Sequence, residues 1–229
     1  FTGDGDSLWV HRINERYDLV TCLELESDWA GEFSISSGEG DSANVVWTRR
    51  PIDQFGATVT TLSFSTVDLS CTNTEVIDLM PELMLAEGTY WGIDLEVDDG
   101  KALIGGYHRD LFTSGTYDDV TSVFTLDSNT PLDSESWRRT REVIPVIEPH
   151  IGMAGSVQIA RGDDWTHMTY QAMRDDGTGS ERVGTFYAHG RLGEANWSFK
   201  TALGDHTLLG QLSVLQDSDG EDVVLTGWK

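Results

Sequence analysis

Lysine is nearly missing from this sequence: Lys101, Lys200 and Lys229 stand against twelve arginines and 39 Asp and Glu residues. The formal net charge is -24 at pH 7 and the pI about 4.3. Affinity for nucleic acids comes largely from neutralising phosphates with Lys and Arg, so this balance argues against nucleic-acid partners, and against anionic membrane surfaces for the same reason. Cysteine is scarce too. Cys22 and Cys71 are the only two, which excludes a disulfide framework and leaves at most one bridge. No apolar run approaches the roughly 18 residues of a membrane-spanning helix, so no membrane insertion is expected. The G-x-S-x-G elbow, H-E-x-x-H pair, P-loop and Cys/His zinc patterns are all missing. The chain opens on Phe1 without a signal-like segment, which reads as a processed product or a piece of something longer.

What is present is apolar and aromatic enough to fold. Hydrophobic residues make up 38% of 229, with eight Trp and twenty-four Gly, well outside the composition of disordered chains. Four segments pair a short alternating strand with an Asp/Gly turn and a second strand: EFSISSGEGDSANVVWTRR from Glu32, GIDLEVDDGKALIGGYHRD from Gly92, GSVQIARGDDWTHMTYQAMRD from Gly155 and GQLSVLQDSDGEDVVLTGWK from Gly210. Period-2 alternation on both sides of such turns is the mark of a β-hairpin. A second strand pair follows each of the first three: ATVTTLSFSTVDL with NTEVIDL, DVTSVFTLDS with SWRRTREVI, and RVGTFYAHG with NWSFKTAL. The fourth hairpin has no such pair after it, but the chain begins with an unclaimed one, SLWVHRINE and YDLVTCLEL.

The expectation is therefore an all-β chain forming one β-propeller of about four four-stranded blades. Their approximate bounds are 31–84, 88–147, 151–203, and a closing blade made of 205–229 plus 1–28, shared by the two termini. Ring closure removes exposed sheet edges. A β-sandwich is the alternative. Helix should be scarce, because the best candidate, Val76 to Glu87, is short and interrupted by Pro81. On this assignment Cys22 and Cys71 occupy outer strands of different blades, beyond the roughly 4.4–6.8 Å between Cα atoms that a bridge needs. The pattern of strand, Asp-Gly turn, strand and Trp-containing outer pair resembles the sialidase-type (BNR-like) propeller superfamily over nearly the whole chain. It departs from that superfamily in having no intact Asp-box (Ser-x-Asp-x-Gly-x-x-Trp), and the resemblance implies a fold shared by many unrelated activities.

In such a ring the loops between blades and the loops between second and third strands share one face. The first set carries Asp28 and Trp29, Glu87, Tyr90 and Trp91, Glu148 and His150, and Asp205 and His206. The second carries Arg49 and Arg50, His108, Arg109 and Asp110, and Arg174, Asp175 and Asp176. From these, Trp29, Arg50, Trp91, His108, Arg109, His150, Arg174 and His206 are the candidate ligand-binding residues: an apolar platform beside a few polar groups suits a small ligand, and the planar fork of Arg suits carboxylates. Acidic glycans fit that mixture. The plainer alternative is that the arginines pair with surface Asp and the two Trp pack between blades.

Three classes of function stay open. The first is a recognition module for a glycan or protein ligand, extracellular or on a cell or particle surface. The second is an enzyme on acidic polysaccharides: a lyase would use His108, His150 and Tyr170, and a glycosidase two carboxylates roughly 5 to 10 Å apart, with Glu87, Glu148 and Asp205 as candidates. The third is a structural subunit of a larger assembly with other chains. No cofactor is expected. Asp217-Ser-Asp219-Gly-Glu221-Asp222, and more weakly Asp4-Gly-Asp6, have the alternating carboxylates of a calcium loop, but the former also sits where a hairpin turn is needed and lacks the later bidentate Glu of an EF-hand.

An Asp-rich, Lys-poor surface suits high salt, where screening removes self-repulsion. The melting temperature should therefore rise by several degrees from low to molar NaCl; a flat or falling trend in a calorimetric series overturns the halophilic reading.

Overall fold

The computed structural model describes residues 2–4, 7–13, 15–27, 29–49, 61–68, 70, 72, 76–79, 88–110, 121–143, 151–153, 157–175, 180–192, 197–204 and 209–228. Among them every regular element is a strand apart from one 3-10 turn at Ser134–Ser136. The strands are β1 (Thr2–Asp4), β2 (Ser7–Ile13), β3 (Leu19–Glu26), β4 (Trp29–Ser37), β5 (Ser42–Arg49), β6 (Thr61–Asp68), β7 (Ile77–Asp78), β8 (Gly88–Asp98) and β9 (Lys101–Asp110). They continue as β10 (Thr121–Ser128), β11 (Arg138–Val143), β12 (Ile151–Met153), β13 (Gln158–Arg161), β14 (Thr166–Asp175), β15 (Ser180–Gly190), β16 (Ser198–Gly204), β17 (Leu209–Gln216) and β18 (Asp222–Trp228).

These form five antiparallel sheets in sequence order: β1-β2-β3, β4-β5-β6-β7, β8-β9-β10-β11, β12 and β13 on β14-β15-β16, and β17-β18. All four expected hairpins are there, as β4-β5, β8-β9, β13-β14 and β17-β18. Turn chemistry explains the tightest: Asp99 and Gly100 both have positive φ, 46° and 69°, as a two-residue hairpin with the right twist demands. The expected helix candidate begins instead as β7, and residues 80–87 lie outside the described ones.

Consecutive sheets pack face to face because alternate residues of each strand point to opposite neighbours. On β9, Ala102 and Ile104 join Val46, Leu62 and Phe64 of the second sheet, whereas Leu103 and Tyr107 join Val157, Ile159 and Met168 of the fourth. Leu8 and Val10 of the first sheet pack on Val45, Trp47 and Val67 of the second.

The inner strands are tied by side chains that cap the next sheet's backbone. Glu32 Oε2 accepts from Gly92 N at 2.9 Å, Ser34 Oγ from Leu95 N at 3.1 Å and Ser36 Oγ from Val97 N at 3.0 Å. One sheet further on, Asp94 Oδ2 accepts from Ile159 N at 3.0 Å and Glu96 Oε2 from Arg161 N at 2.6 Å. An acid or serine at every second position thus satisfies the donors of the neighbouring edge strand, which would otherwise be buried unpaired.

One expectation is corrected. The termini do not share a closing blade among the described residues: β17-β18 is a separate two-stranded sheet, and β1-β2-β3 another. Each is held by its neighbour rather than by the other: the C-terminal hairpin lies against β13 and β14, and the N-terminal sheet sets its apolar face on β5. Cys22 lies on β3, and Cys71 falls outside the described residues.

Burial pushes the Glu96 carboxyl up from 4.5 to about 7 and raises Asp94 and Glu32 as well, with backbone N–H bonds pulling the other way. The folded state then holds protons that the unfolded chain has released, so this stability is present below about pH 4.5 and lost as pH rises through about 7. Stability should fall by on the order of 2 kcal/mol for Glu96 over that window once partial exposure is allowed for. Glu96→Gln, which keeps an acceptor for Arg161 N–H, should flatten the profile in urea titrations from pH 4 to 8; an unchanged slope refutes the assignment.

Candidate functional site

The hairpin turns at 38–41, 99–100 and 162–165 share one end of the second, third and fourth sheets, so the opposite strand ends share the other. That opposite end holds the strand ends at which ligand-binding residues are expected from the sequence. Backbone register brings Trp29 opposite Arg49, Trp91 opposite Tyr107, His108 opposite Tyr90, and Arg109 opposite Thr89. Arg174 pairs with both Ile151 and Glu181 at the corresponding end of β14. Both inner strands are bulged beside their tryptophan, between Trp29 and Phe33 and between Trp91 and Asp94, with Gly31 and Gly92 at φ 103° and 61°. Bulges of this sort re-aim a strand end. Arg50, His150 and His206 lie outside the described residues, as do Asp28, Glu87, Glu148, Asp176 and Asp205.

The described side chains at this end form a charged group that bridges two sheets. Glu26, at the end of β3 and 8% exposed, takes Arg49 Nε at 2.7 Å and Trp47 Nε1 at 3.5 Å on Oε2. Nη1 of the same guanidinium lies 3.5 Å from Asp78 Oδ1, which also accepts from Ser63 Oγ at 2.8 Å. One arginine therefore stands between carboxylates of the first and second sheets. Sequence reasoning placed Arg49 on this face and missed Glu26 and Asp78, whose sole signal was an acid at the end of a strand.

Tyr170, the proposed lyase tyrosine, is corrected: it is 1% exposed, stacked on Phe186 at 5.6 Å, and burial raises its pKa. Its alternation in THMTYQAM places it on the core face of β14. A different tyrosine is polar-paired. Tyr187 Oη meets His167 Nδ1 at 2.6 Å, and His167 Nε2 meets Asp222 Oδ2 at 3.0 Å; burial first, then the Asp222 charge, raise the Tyr187 pKa. This chain lies at the hairpin-turn end, joining the fourth sheet to the C-terminal hairpin. Asp222 is the last acid of the possible calcium stretch. The rest of that stretch is a turn in which Asp217 Oδ1 accepts from the N–H groups of Asp219 at 2.8 Å and Glu221 at 3.0 Å. Among the described residues no group of three or more His, Cys, Asp or Glu is placed to hold a metal ion. Asp4-Gly-Asp6 falls partly outside them.

No protein-family model matches the sequence, and no curated protein matches it. Solved structures do share its fold. Zg3597, a family 117 glycoside hydrolase from Zobellia galactanivorans, aligns with a TM-score of 0.55 at 14% identity over 96% of this chain and 72% of its own. The α-L-arabinanase of Penicillium chrysogenum, complexed with arabinobiose, gives 0.56 at 12% over 93% of this chain. The endo-arabinase of Bacteroides thetaiotaomicron gives 0.53 at 12% over 96% of this chain and 81% of its own. The chain spans 60% of the Penicillium enzyme's length. At these identities the likeness shows fold alone: an all-β, β-propeller architecture of the kind found in these glycosidases, not the sialidase type specifically.

Replacing Arg49 by Met would leave the buried Glu26 carboxylate without its cation. Urea unfolding should show a loss of roughly 2–3 kcal/mol, most of it recovered in the Glu26→Gln/Arg49→Met double variant. Additive losses in that cycle would mean the two side chains are not coupled.

Proposed function

We propose that this chain is a glycan-recognition β-propeller of an extracellular or cell-surface setting, which takes its ligand at the strand ends opposite the hairpin turns. One observation carries the reading: backbone register sets Trp29, Trp91, His108, Arg109 and Arg174 at the same end of three consecutive sheets. Arg50, His150 and His206, which lie outside the described residues, complete the proposed set by their positions in the sequence. Tryptophan faces stack on sugar C–H faces, and Arg forks take carboxylate or sulfate groups, which the chain's net charge of -24 would not otherwise attract. The fold supports the reading too, since the glycoside hydrolase and arabinanases that share it act on carbohydrates. No cofactor is needed for it, and partner chains are a matter for sizing experiments.

Those same relatives favour hydrolysis as the second reading. It requires two carboxylates flanking the scissile bond. Glu26 and Asp78 are both engaged by Arg49, and the carboxylates proposed for that role are Glu87, Glu148 and Asp205, which lie outside the described residues.

A glycan array followed by titration calorimetry tests both. Trp91→Ala and Arg109→Ala should each weaken binding about tenfold or more, near 1.4 kcal/mol, with the melting temperature held. Unchanged affinity in both variants refutes the site, and release of reducing ends from bound glycans selects the hydrolase.

A further inference from the structure

We propose a second saccharide site, at the hairpin-turn end between the second and third sheets, that takes a short neutral sugar. It goes beyond the function proposed above, because it lies at the other end of the strands and uses none of the same residues. The site is a cleft of about 540 Å³, inside the 300–1,000 Å³ typical of small-ligand sites.

Its floor is a fixed amide. Asn44 is 5% exposed; its Nδ2 donates to Ser37 O at 3.3 Å and its Oδ1 accepts from Thr66 Oγ1 at 2.7 Å. Those two bonds set which way the amide faces, and they leave Asn44 one N–H and one carbonyl lone pair to spare. Ser42, whose Oγ donates to Glu39 O at 2.8 Å, has acceptor capacity left in the same way. Alternating donors and acceptors at close spacing are what vicinal hydroxyls require.

The wall is apolar and already braced. Pro131 and the 46% exposed Leu132 lie along it. Trp137 Nε1 donates to Pro131 O at 3.0 Å and Ser136 Oγ to Thr130 O at 2.8 Å, so this loop is held before any ligand arrives and little ordering is left to do on binding. A sugar presents that combination in reverse, an apolar C–H face with a rim of hydroxyls. Charge decides among sugars. The ionisable groups lining the cleft are Glu39 and Asp133, both acids; they accept from hydroxyls and repel uronic acids, sulfated sugars and nucleotides. Ligand preference should thus be opposite at the two ends: acidic glycan at the arginine-bearing end, neutral sugar here.

Amide NMR of the ¹⁵N-labelled chain, titrated in parallel with arabinobiose, a panel of neutral hexose disaccharides and a uronic-acid disaccharide, tests this. Millimolar neutral sugar should shift the Asn44 side-chain amide and the amides of Asn129 and Gly100, which also line the cleft; the acidic disaccharide should not, and Asn129→Ala with Leu132→Ala should weaken the effect about tenfold. Trp91→Ala should leave it intact, which separates this site from the other. The proposal is overturned if no neutral sugar moves those signals, if the acidic one moves them equally, or if the paired substitution changes nothing.

Discussion

Everything about the arrangement depends on how edge strands are satisfied. A strand at a sheet edge carries unpaired N–H groups, and packing sheets side by side buries those of the inner strands. Here the donors are met by side chains of the preceding sheet: Glu32, Ser34 and Ser36 serve β8, and Asp94 and Glu96 serve β13. Because side chains alternate, a strand can cap the following sheet with one set while the other set fills the apolar seam behind it. This coupling fixes both the spacing and the axial register of neighbouring sheets, and through them the level at which each strand end emerges.

Register has a geometric consequence. Once the inner strands are aligned, residues far apart in sequence are carried to a common end: Trp29, Trp91, Arg109 and Arg174 at one, and the turns with their small polar residues at the other. Around the cleft at the turn end the ionisable groups are acids, whereas at the opposite end Arg49 is set between Glu26 and Asp78.

The last junction departs from the rest. Seams between the first four sheets are filled by clusters of apolar side chains, whereas the C-terminal hairpin meets the fourth sheet through Asp222, His167 and Tyr187. Across its other face, Leu215, Val223 and Leu225 are about half exposed. A polar contact is directional where an apolar seam is not, so the hairpin is held by orientation as much as by area.

Much of the fold was legible from local pattern. Alternation and turn residues located the four hairpins and the strand pairs beside them, because a hairpin's register depends on residues a few positions apart. The sequence by itself also determined the acidic, lysine-poor character and the strand ends that carry Trp and Arg. Three things depended on tertiary structure. The closing blade was inferred from a leftover strand pair, but Asp222 finds His167 55 residues away, and no local signal announces such a partner. Tyr170 and Tyr187 are both plausible reactive groups as letters; β14 and β15 pair Tyr170 with Phe186 and Thr169 with Tyr187, so the two fall on opposite faces, one in the core and the other beside His167. Glu26 and Asp78 read as ordinary strand residues until packing of two sheets set them either side of one guanidinium. Local sequence chooses strands and turns because their energies are short-ranged, while which faces meet is chosen by burial and pairing among residues the chain brings together only on folding.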